Sequence, residues 1–449
     1  MSSLNRRRIL TTSTAAALAA VTASRDSVAA TMLAPAERIR VGCVGVEGRA
    51  GFLLGAFAER KDVELVAIAD IDSRKLPGAI ERVAKLNGRP PRAEKDFRRL
   101  IDDDSIDVLV VGTPDHWHAI PTIMACQAGK DVYVEKPDGH NILEGQRMVQ
   151  AMQKYGRIVQ MGTQSRSGAH FLSAIEFIRT GKLGKCLVAK AWESTKQSNI
   201  GHPADSTTPE GVDYDFWLGP APKRAFNVRR FQGSWRWFFD YGTGDLGNDG
   251  VHRLDYARWA LSTAIEAQGG PALGFPTKIS ANGGKWYFDD MQEWPDTLQV
   301  TYEYAGSPGS LLTYEMRIWS PYKMYGLPEG AVIYGDQGYI VIGNDKWFAF
   351  DPKDQVVAQG AGSNDGRTHI ENFLDCVRSR KKPNADLETV GHPSSMLCHA
   401  GNVAWRLGRT VTLDPATELF VTTDGASDEQ ANQLRTRSEY REPWSLPSV

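Results

Sequence analysis

The sequence predicts an α/β protein in two parts: an N-terminal doubly wound parallel sheet, then a C-terminal α+β domain with a largely antiparallel, open-faced sheet. Three observations predict it. Continuous apolar runs, Val108-Leu109-Val110-Val111 and Val132-Tyr133-Val134, flank a helical span from Ala119 to Ala128, as strands buried on both faces do in a βαβ unit. Strand and helix patterns alternate from Ile39 to about Gly162. Beyond that point β-rich runs follow one another without intervening helices, separated by long loops containing Gly and Pro.

Composition narrows the function classes. At 449 residues, 41% apolar and 24% charged, the chain is long enough for two or three globular domains. Lys and Arg number 52 against 54 Asp and Glu, so no basic surplus exists to hold nucleic acid. No run after the N-terminus approaches the ~18 apolar residues of a membrane span. The five cysteines, Cys43, Cys126, Cys186, Cys376 and Cys398, are scattered and read as buried small hydrophobes, with no metal-binding spacing among them.

Taken in order, residues 1–30 stand apart. Asn5-Arg6-Arg7-Arg8-Ile9-Leu10 precedes an acid-free stretch of small residues, which resembles a twin-arginine export signal cleaved after Ala30 and implies a periplasmic or otherwise exported protein. Residues 38–163 form the first domain. Arg40 to Val46 reads as its first strand and Ala50 to Arg60 as the following helix. Between them, Gly45-Val46-Glu47-Gly48-Arg49-Ala50 lies where a dinucleotide-binding turn belongs, which makes the domain Rossmann-like and Gly45, Glu47, Gly48 and Arg49 its candidate cofactor contacts. Glu47 stands at the second glycine of the usual pattern. A carboxylate about 5 Å from a diphosphate costs on the order of 3 kcal/mol per charge pair, unless it turns away. The second strand ends at Asp70, where a carboxylate that binds the adenosine ribose belongs; that favours NAD over NADP, with Arg74 nearby as the reservation, and a helix N-terminal carboxylate as the other reading.

The central βαβ unit places Thr113-Pro114-Asp115-His116-Trp117-His118 and Glu135-Lys136-Pro137 at the carboxyl ends of two strands, the edge where open parallel sheets bind ligands. Asn141 with Glu144 makes a cap pairing for a helix that Gly156 ends, and Ile158 to Gly162 is the last strand of the domain. Gln164 and Arg166 follow it, placed to line the cleft or to anchor a loop.

The second domain spans residues 164–420. Strands are expected at Cys186 to Ser194, Thr297 to Tyr304, Ser310 to Met316, Val332 to Tyr334 and Tyr339 to Ile342. Aromatic residues crowd between Tyr214 and Trp259, Trp235 among them; flat apolar faces suit sugar rings, and most such residues serve core or interface. A helix is expected from about Asn248 through Leu261, with Asn248, His252 and Asp255 on one face, and helices again over His369 to Arg380 and Pro393 to Leu407. Residues 421–449 read as a polar tail apart from Pro443-Trp444.

Two of these segments, Thr113 to His118 and Ala128-Gly129-Lys130-Asp131-Val132-Tyr133-Val134-Glu135-Lys136-Pro137, resemble the glucose-fructose oxidoreductase and inositol dehydrogenase family, Gfo/Idh/MocA, from about Ile39 to the C-terminus. The resemblance implies that Lys136 sits beside the nicotinamide and the reacting hydroxyl, with Thr113, Pro114, His118 and Glu135 near the cofactor. It also implies a catalytic trio of Lys136, His252 and an acid four residues before that His. Here that place holds Asn248, which orients a hydroxyl but takes no proton, with Asp245 or Asp249 as compensating acids. Gln164, Arg166, Trp235, Asp249 and His252 are the candidate substrate contacts, and His252 is expected to titrate near neutrality and relay protons with Lys136. The implied activity is NAD-dependent hydride transfer at a hydroxyl of a sugar, polyol or glycoside. The alternatives are an NAD-dependent glycosidase or lyase working through a transient keto-sugar, and a non-catalytic sugar-binding relative. In the family the second sheet carries substrate on one face and often subunit contacts on the other, so a homo-oligomer is expected.

Overall fold

In the computed structural model, which describes residues 38–306 and 309–449, the first half of the chain alternates strand and helix. Its elements are β1 (Ile39–Val44), α1 (Gly48–Ala58), β2 (Val63–Ala69), α2 (Leu76–Asn87), β3 (Arg92–Glu94), α3 (Arg98–Ile101), β4 (Val108–Val111), α4 (Ala119–Gln127), β5 (Asp131–Val134), α5 (Ile142–Tyr155) and β6 (Val159–Met161). All strand pairs are parallel, in the order β3-β2-β1-β4-β5-β6. Sheet order therefore reverses between β1 and β4, the switch point that opens a crevice at the strands' carboxyl ends. Every residue of β4 and β5 is buried because both sheet faces are covered. On one face Phe57 and Tyr133 meet edge to face at 5.9 Å; on the other, Leu109 and Val111 pack under Ile120, Ile123 and Met148. The twin-arginine segment lies outside the described residues.

The second half contains α6 (Ala169–Arg179), β7 (Cys186–Glu193), α7 (Tyr214–Leu218), α8 (Val251–Glu266), β8 (Lys278–Gly284), β9 (Thr297–Tyr304), β10 (Ser310–Arg317), β11 (Glu329–Gly335), β12 (Gly338–Ile342), β13 (Lys346–Phe350), β14 (Val356–Ala361), α9 (Arg367–Ser379), α10 (His392–Leu407), β15 (Val411–Asp414), β16 (Leu419–Val421) and α11 (Glu429–Gln433). Ten strands join in one sheet, β14-β13-β12-β11-β7-β10-β9-β8-β15-β16, antiparallel except for the β7–β10 pair. Alternation in β9 puts Leu298, Val300, Tyr302 and Tyr304 into the core beneath α8 and α10, and leaves Gln299 and Glu303 outside. The opposite face carries a smaller apolar cluster of Trp192, Leu327, Val332 and Val341, edged by half-buried Tyr334, Tyr339 and Phe350.

Both ends of the second half return to the first. Helix α9 inserts Phe373 against Phe57 and Tyr133, at 6.5 and 5.7 Å between ring centres. The chain beyond 421 departs from the expected polar tail. Trp444 lies 4.7 Å from Trp117 and 5.1 Å from Phe216 between ring centres, Arg437 pairs with Glu144, and Arg441 donates to the Asp215 carboxylate at 2.8 Å. A few apolar and cationic side chains in an otherwise polar stretch are enough to bind it down as a strap. Asn141 caps α5 through the Glu144 amide as expected, but the Glu144 carboxylate reaches the His140 amide and not that of Asn141.

Candidate functional site

Glycine at positions 45 and 48 is a backbone requirement. Gly45 has φ +89°, and a Cβ there would lie 3.1 Å from both the Ala50 methyl and the Gly112 carbonyl oxygen. Gly48 has φ +56°, a left-handed conformation that lets the chain turn into α1. A side chain on Gly112 would come within 2.7 Å of Ala50, so β4 and α1 pack as closely as the small third residue of the motif suggests. Glu47 caps α1 without a side-chain hydrogen bond, which leaves the first-turn amides of an eleven-residue helix facing the crevice. Its carboxylate is exposed and turned to Lys75, 3.6 Å away. Asp70 accepts the Val46 amide at 3.1 Å and the Asp72 amide at 2.9 Å, and burial pushes its carboxyl up to about 6. Arg74 is held by Asp72 through two 2.7 Å hydrogen bonds. Next to this turn is a slot of about 90 Å³ walled by Asp70, Phe97, Trp117 and Phe216.

A larger cleft, about 490 Å³, continues from that slot past Thr113 and Pro114 to the second domain. Lys136 projects into it from the turn after β5, where the Lys136–Pro137 peptide is cis. Its Nζ donates to the backbone oxygen of Asn248 at 2.8 Å and to Asn248 Oδ1 at 2.9 Å. Asn248 lies in a π-type turn, Leu246–Gly250, that feeds α8, and so presents with His252 to the cleft. Asn248 Nδ2 points to Asp245 Oδ1, 3.5 Å away. Burial and the neighbouring Asp249 hold the Asp245 carboxyl well above the usual carboxylate range. Below Lys136, Glu135 is buried and accepts Arg49 Nε at 2.8 Å; burial opposes its charge, but Arg49 and Lys136 prevail and keep its carboxyl below the usual range. A Cβ on Gly162 would strike the Glu135 carboxylate at 2.6 Å, so that glycine makes room for the ion pair.

The cleft gathers Glu47, Gly48, Arg49, Thr113, Pro114, Glu135, Lys136, Gln164, Trp235, Asn248 and His252 of the sequence-predicted residues. Gly45 and Asp70 border the adjoining slot. Three others are placed elsewhere. Arg166 is buried in a forked ion pair with Asp255, at 2.7 to 3.0 Å, and stacked over Trp259, so it fastens the second domain and does not meet the cleft. His118 is buried with its two ring nitrogens at the carbonyls of Pro137 and Thr113, 2.6 and 2.8 Å away, and ties together the two loops that border the site. Asp249 faces the Glu193–Arg253 charge cluster and is not on the cleft wall. His252 also departs from the expected titration: burial first, then the Lys136 cation, drive its pKa well below the ordinary imidazole value, so the ring is neutral at neutral pH. Its Nδ1 is buried without a hydrogen-bond partner among the described residues, as is Arg49 Nη2.

Sequence reasoning missed Asp115, Gln232, Gly233 and Arg236, which complete the cleft. Asp115 lay in plain view inside the quoted motif; burial raises its carboxyl, and it accepts the Thr243 hydroxyl at 2.8 Å. The 232–236 segment carried one signal, a Gly at 233 with φ +84° beside Trp235. The uncapped amides, the glycine cradle and the orphaned Arg49 and His252 nitrogens fit a bound dinucleotide with a hydroxylated substrate beside it.

A six-stranded dinucleotide fold whose crevice meets a lysine after β5 defines an NAD-binding oxidoreductase architecture. A family model described as "Oxidoreductase family, NAD-binding Rossmann fold" matches residues 39–163, and one described as "Oxidoreductase family, C-terminal alpha/beta domain" matches residues 191–446. The chain belongs to the Gfo/Idh/MocA oxidoreductase family. Among curated proteins it is similar to a glycosyl hydrolase family 109 protein of Shewanella sp. (strain ANA-3), 28% identical over 321 residues that cover 58% of this chain and 69% of the relative. Among solved structures it is similar in fold to the aldose-aldose oxidoreductase of Caulobacter crescentus, complexed with glycerol, with TM-score 0.61, 19% identity and coverage of 84% and 100% of the two chains. The WlbA dehydrogenase of Bordetella pertussis, in complex with NADH and UDP-GlcNAcA, aligns with TM-score 0.59, 19% identity and coverage of 84% and 99%.

Proposed function

We propose that the protein is an exported oxidoreductase that transfers hydride between a tightly held nicotinamide cofactor, NAD in preference to NADP, and a hydroxyl-bearing carbon of a sugar, polyol or glycoside. The observation that carries this reading is the meeting of Lys136, Asn248 and His252 in one cleft with the dinucleotide turn. When bound, NAD supplies the acceptor or donor of hydride. Gly45, Gly48 and the first-turn amides of α1 would hold its diphosphate, and Asp70 its adenosine ribose. The engagement of Arg74 by Asp72 supports NAD, since that guanidinium is occupied away from a 2′-phosphate.

Lys136 does the proton work. Two of its three N–H directions go to Asn248, which leaves the third for a substrate oxygen. As an amine, its nitrogen takes the hydroxyl proton; as an ammonium, it returns a proton to the carbonyl oxygen. Neutral His252 holds and orients the hydroxyl through a hydrogen bond and carries no positive charge at neutral pH. Trp235 and Gln164 on the same walls offer an apolar face and an amide to a polyhydroxylated ring.

The twin-arginine segment supports export, and free NAD is scarce outside the cytoplasm. A cofactor held tightly would then be regenerated in one catalytic cycle, by oxidising one sugar and reducing another. The names of the curated relatives favour a second reading, a glycosidase that oxidises its substrate transiently. The Glu135-Lys136-Pro137 motif, which carries the resemblance to the oxidoreductases, weighs toward the first reading. The aromatic edge at Tyr334, Tyr339 and Phe350 supports subunit contacts through the second sheet.

The test begins with protein lacking the first 30 residues, purified without added cofactor, denatured, and assayed by mass spectrometry for released dinucleotide. About one NAD per chain is expected. An empty site that takes up neither NAD nor NADP at millimolar levels would overturn the proposal and favour a non-catalytic sugar-binding role. Product analysis then separates the two enzymes: a keto-sugar or lactone marks the oxidoreductase, and free sugar released from a glycoside without net change in NADH marks the glycosidase. Lys136→Met should retain the dinucleotide and lose about 10²- to 10⁴-fold in turnover.

A further inference from the structure

A second cavity, about 210 Å³, lies behind the loop that ends the catalytic cleft and shares no wall residue with it. Its polar groups are built but unmatched. His140 donates Nε2–H to the Phe239 carbonyl at 2.8 Å, so its Nδ1 carries a bare lone pair, and that atom has no partner among the described residues. Asn402 spends its amide on the Thr243 carbonyl at 2.8 Å, which leaves buried Oδ1 without a donor. Asn141 accepts the Glu144 amide at 3.1 Å through Oδ1, and its buried Nδ2 is unused. Arg437 donates Nε to Glu144 and Nη1 to the Asp240 carbonyl, and Nη2, also buried, goes unmatched. Buried donors and acceptors normally find partners, because each orphan costs about 1–3 kcal/mol. With His399 Nε2 and Asp240 Oδ2, six wall atoms lack a hydrogen-bond partner among the described residues, so what fills the cavity must be polar.

The rest of the wall gives the shape and charge of what would satisfy them. Phe239 and Trp294 meet edge to face at 4.6 Å and offer apolar surface. At the mouth, exposed Arg406 stacks 5.0 Å over Phe239 and has no carboxylate within ion-pair distance among the described residues. Of the two wall carboxylates, Asp240 shares the Arg224 guanidinium with Glu293, at 2.6 and 3.1 Å, and Glu439 stands exposed on the rim. We infer that this cavity is a second binding site, for a monosaccharide-sized sugar acid: its carboxylate would meet Arg406 and Arg437, its hydroxyls His140 Nδ1, Asn402 Oδ1 and Asn141 Nδ2, and its CH face the Phe239–Trp294 corner. The inference is independent of the reading of the cleft.

Titration calorimetry on the full mature chain tests it, with D-glucuronate and D-glucose as probes. Glucuronate should bind saturably and about 10-fold more tightly than glucose, since a charge-assisted hydrogen bond is roughly twice as strong as a neutral one. Arg406→Ala, at an exposed position that leaves the fold intact, should weaken glucuronate by about 10-fold and leave glucose unchanged. Lys136→Ala, which alters only the cleft, should not change glucuronate affinity. The inference is overturned if glucuronate shows no saturable heat at tens of millimolar, if Arg406→Ala binds it as wild type does, or if Lys136→Ala abolishes the binding, which would place the probe in the cleft.

Discussion

His392 is the place where pH should most directly reach the catalytic loop. It is buried at the start of α10 with Nδ1 at 2.7 Å from Asp138 Oδ2 and Nε2 at 2.8 Å from Glu418 Oε2. Both nitrogens meet carboxylates, so both carry protons and the ring is an imidazolium. Burial opposes that charge, yet the two carboxylates outweigh it and raise the pKa to about 9. Against an unfolded value near 6.5, a displacement of about 2.5 units corresponds to about 3.4 kcal/mol. The raised value belongs to the folded state, so this stability is complete below about pH 6.5 and is lost as pH rises through about 9. Asp138 lies two residues after Lys136 and also takes the Gly139 amide at 2.7 Å and donates its own to Ser395, so the loss loosens the loop that aims the lysine.

The perturbation is His392→Gln, which keeps a donor for Asp138 but removes the titrating charge. Urea unfolding would be followed by tryptophan fluorescence from about pH 6 to about pH 10. The wild-type advantage over the variant should be about 3 kcal/mol at the acid end and should close toward zero at the alkaline end. A difference that stays constant within about 1 kcal/mol across that range would refute the imidazolium assignment.

Other outcomes follow from single contacts. Gly45→Ala forces a Cβ onto a φ of +89° and into 3.1 Å contacts, and should cost about 1–3 kcal/mol by thermal unfolding together with the copurifying dinucleotide. Arg49→Ala leaves buried Glu135 without its partner and should cost about 2 kcal/mol, with Arg49→Lys recovering only part, because lysine cannot reproduce the guanidinium fork. Dinucleotide affinity should tighten as pH rises through about 6, where Asp70 ionises to accept ribose hydroxyls, and Asp70→Asn should flatten that dependence in a fluorescence titration. Trp444→Ala strips the strap of its contacts with Phe97, Trp117 and Phe216 and should cost about 2 kcal/mol of stability.

The parallel sheet was legible because its strands are buried on both faces and so are written as unbroken apolar runs; Val108 to Val111 needed no alternation to be recognised. Strands β8 and β15 were harder, since their pairing joins distant parts of the chain, as Val411 does with Ile279. Lys136 could be placed by its position after a strand, and Asn248 and His252 by helical spacing. Arg166 could not. Nothing local distinguishes a cationic residue that lines a cleft from one that meets Asp255, 89 positions later in the chain. The titration of His252 was equally hidden, because its pKa is set by burial and by a lysine from another domain.

The replacement of the family's acid by Asn248 looks from sequence like a lost catalytic group, but its surroundings give it a defined task. The Lys136 ammonium only donates, so the side-chain atom facing it is the amide oxygen, and the amide nitrogen then turns to Asp245. Burial and the neighbouring Asp249 hold the Asp245 carboxyl well above the usual carboxylate range, which favours its protonated form. Asp245 and Asn248 therefore form a hydrogen-bonded frame that orients Lys136. Asp245→Asn preserves shape and an acceptor for the Asn248 amide and should change kcat/KM by less than about 3-fold, whereas Asp245→Leu removes that anchor and should cost about 10-fold, expressed in kcat more than in KM. If the asparagine variant loses as much as the leucine variant, Asp245 acts as a carboxylate, and the acid missing at position 248 has been supplied from one turn earlier.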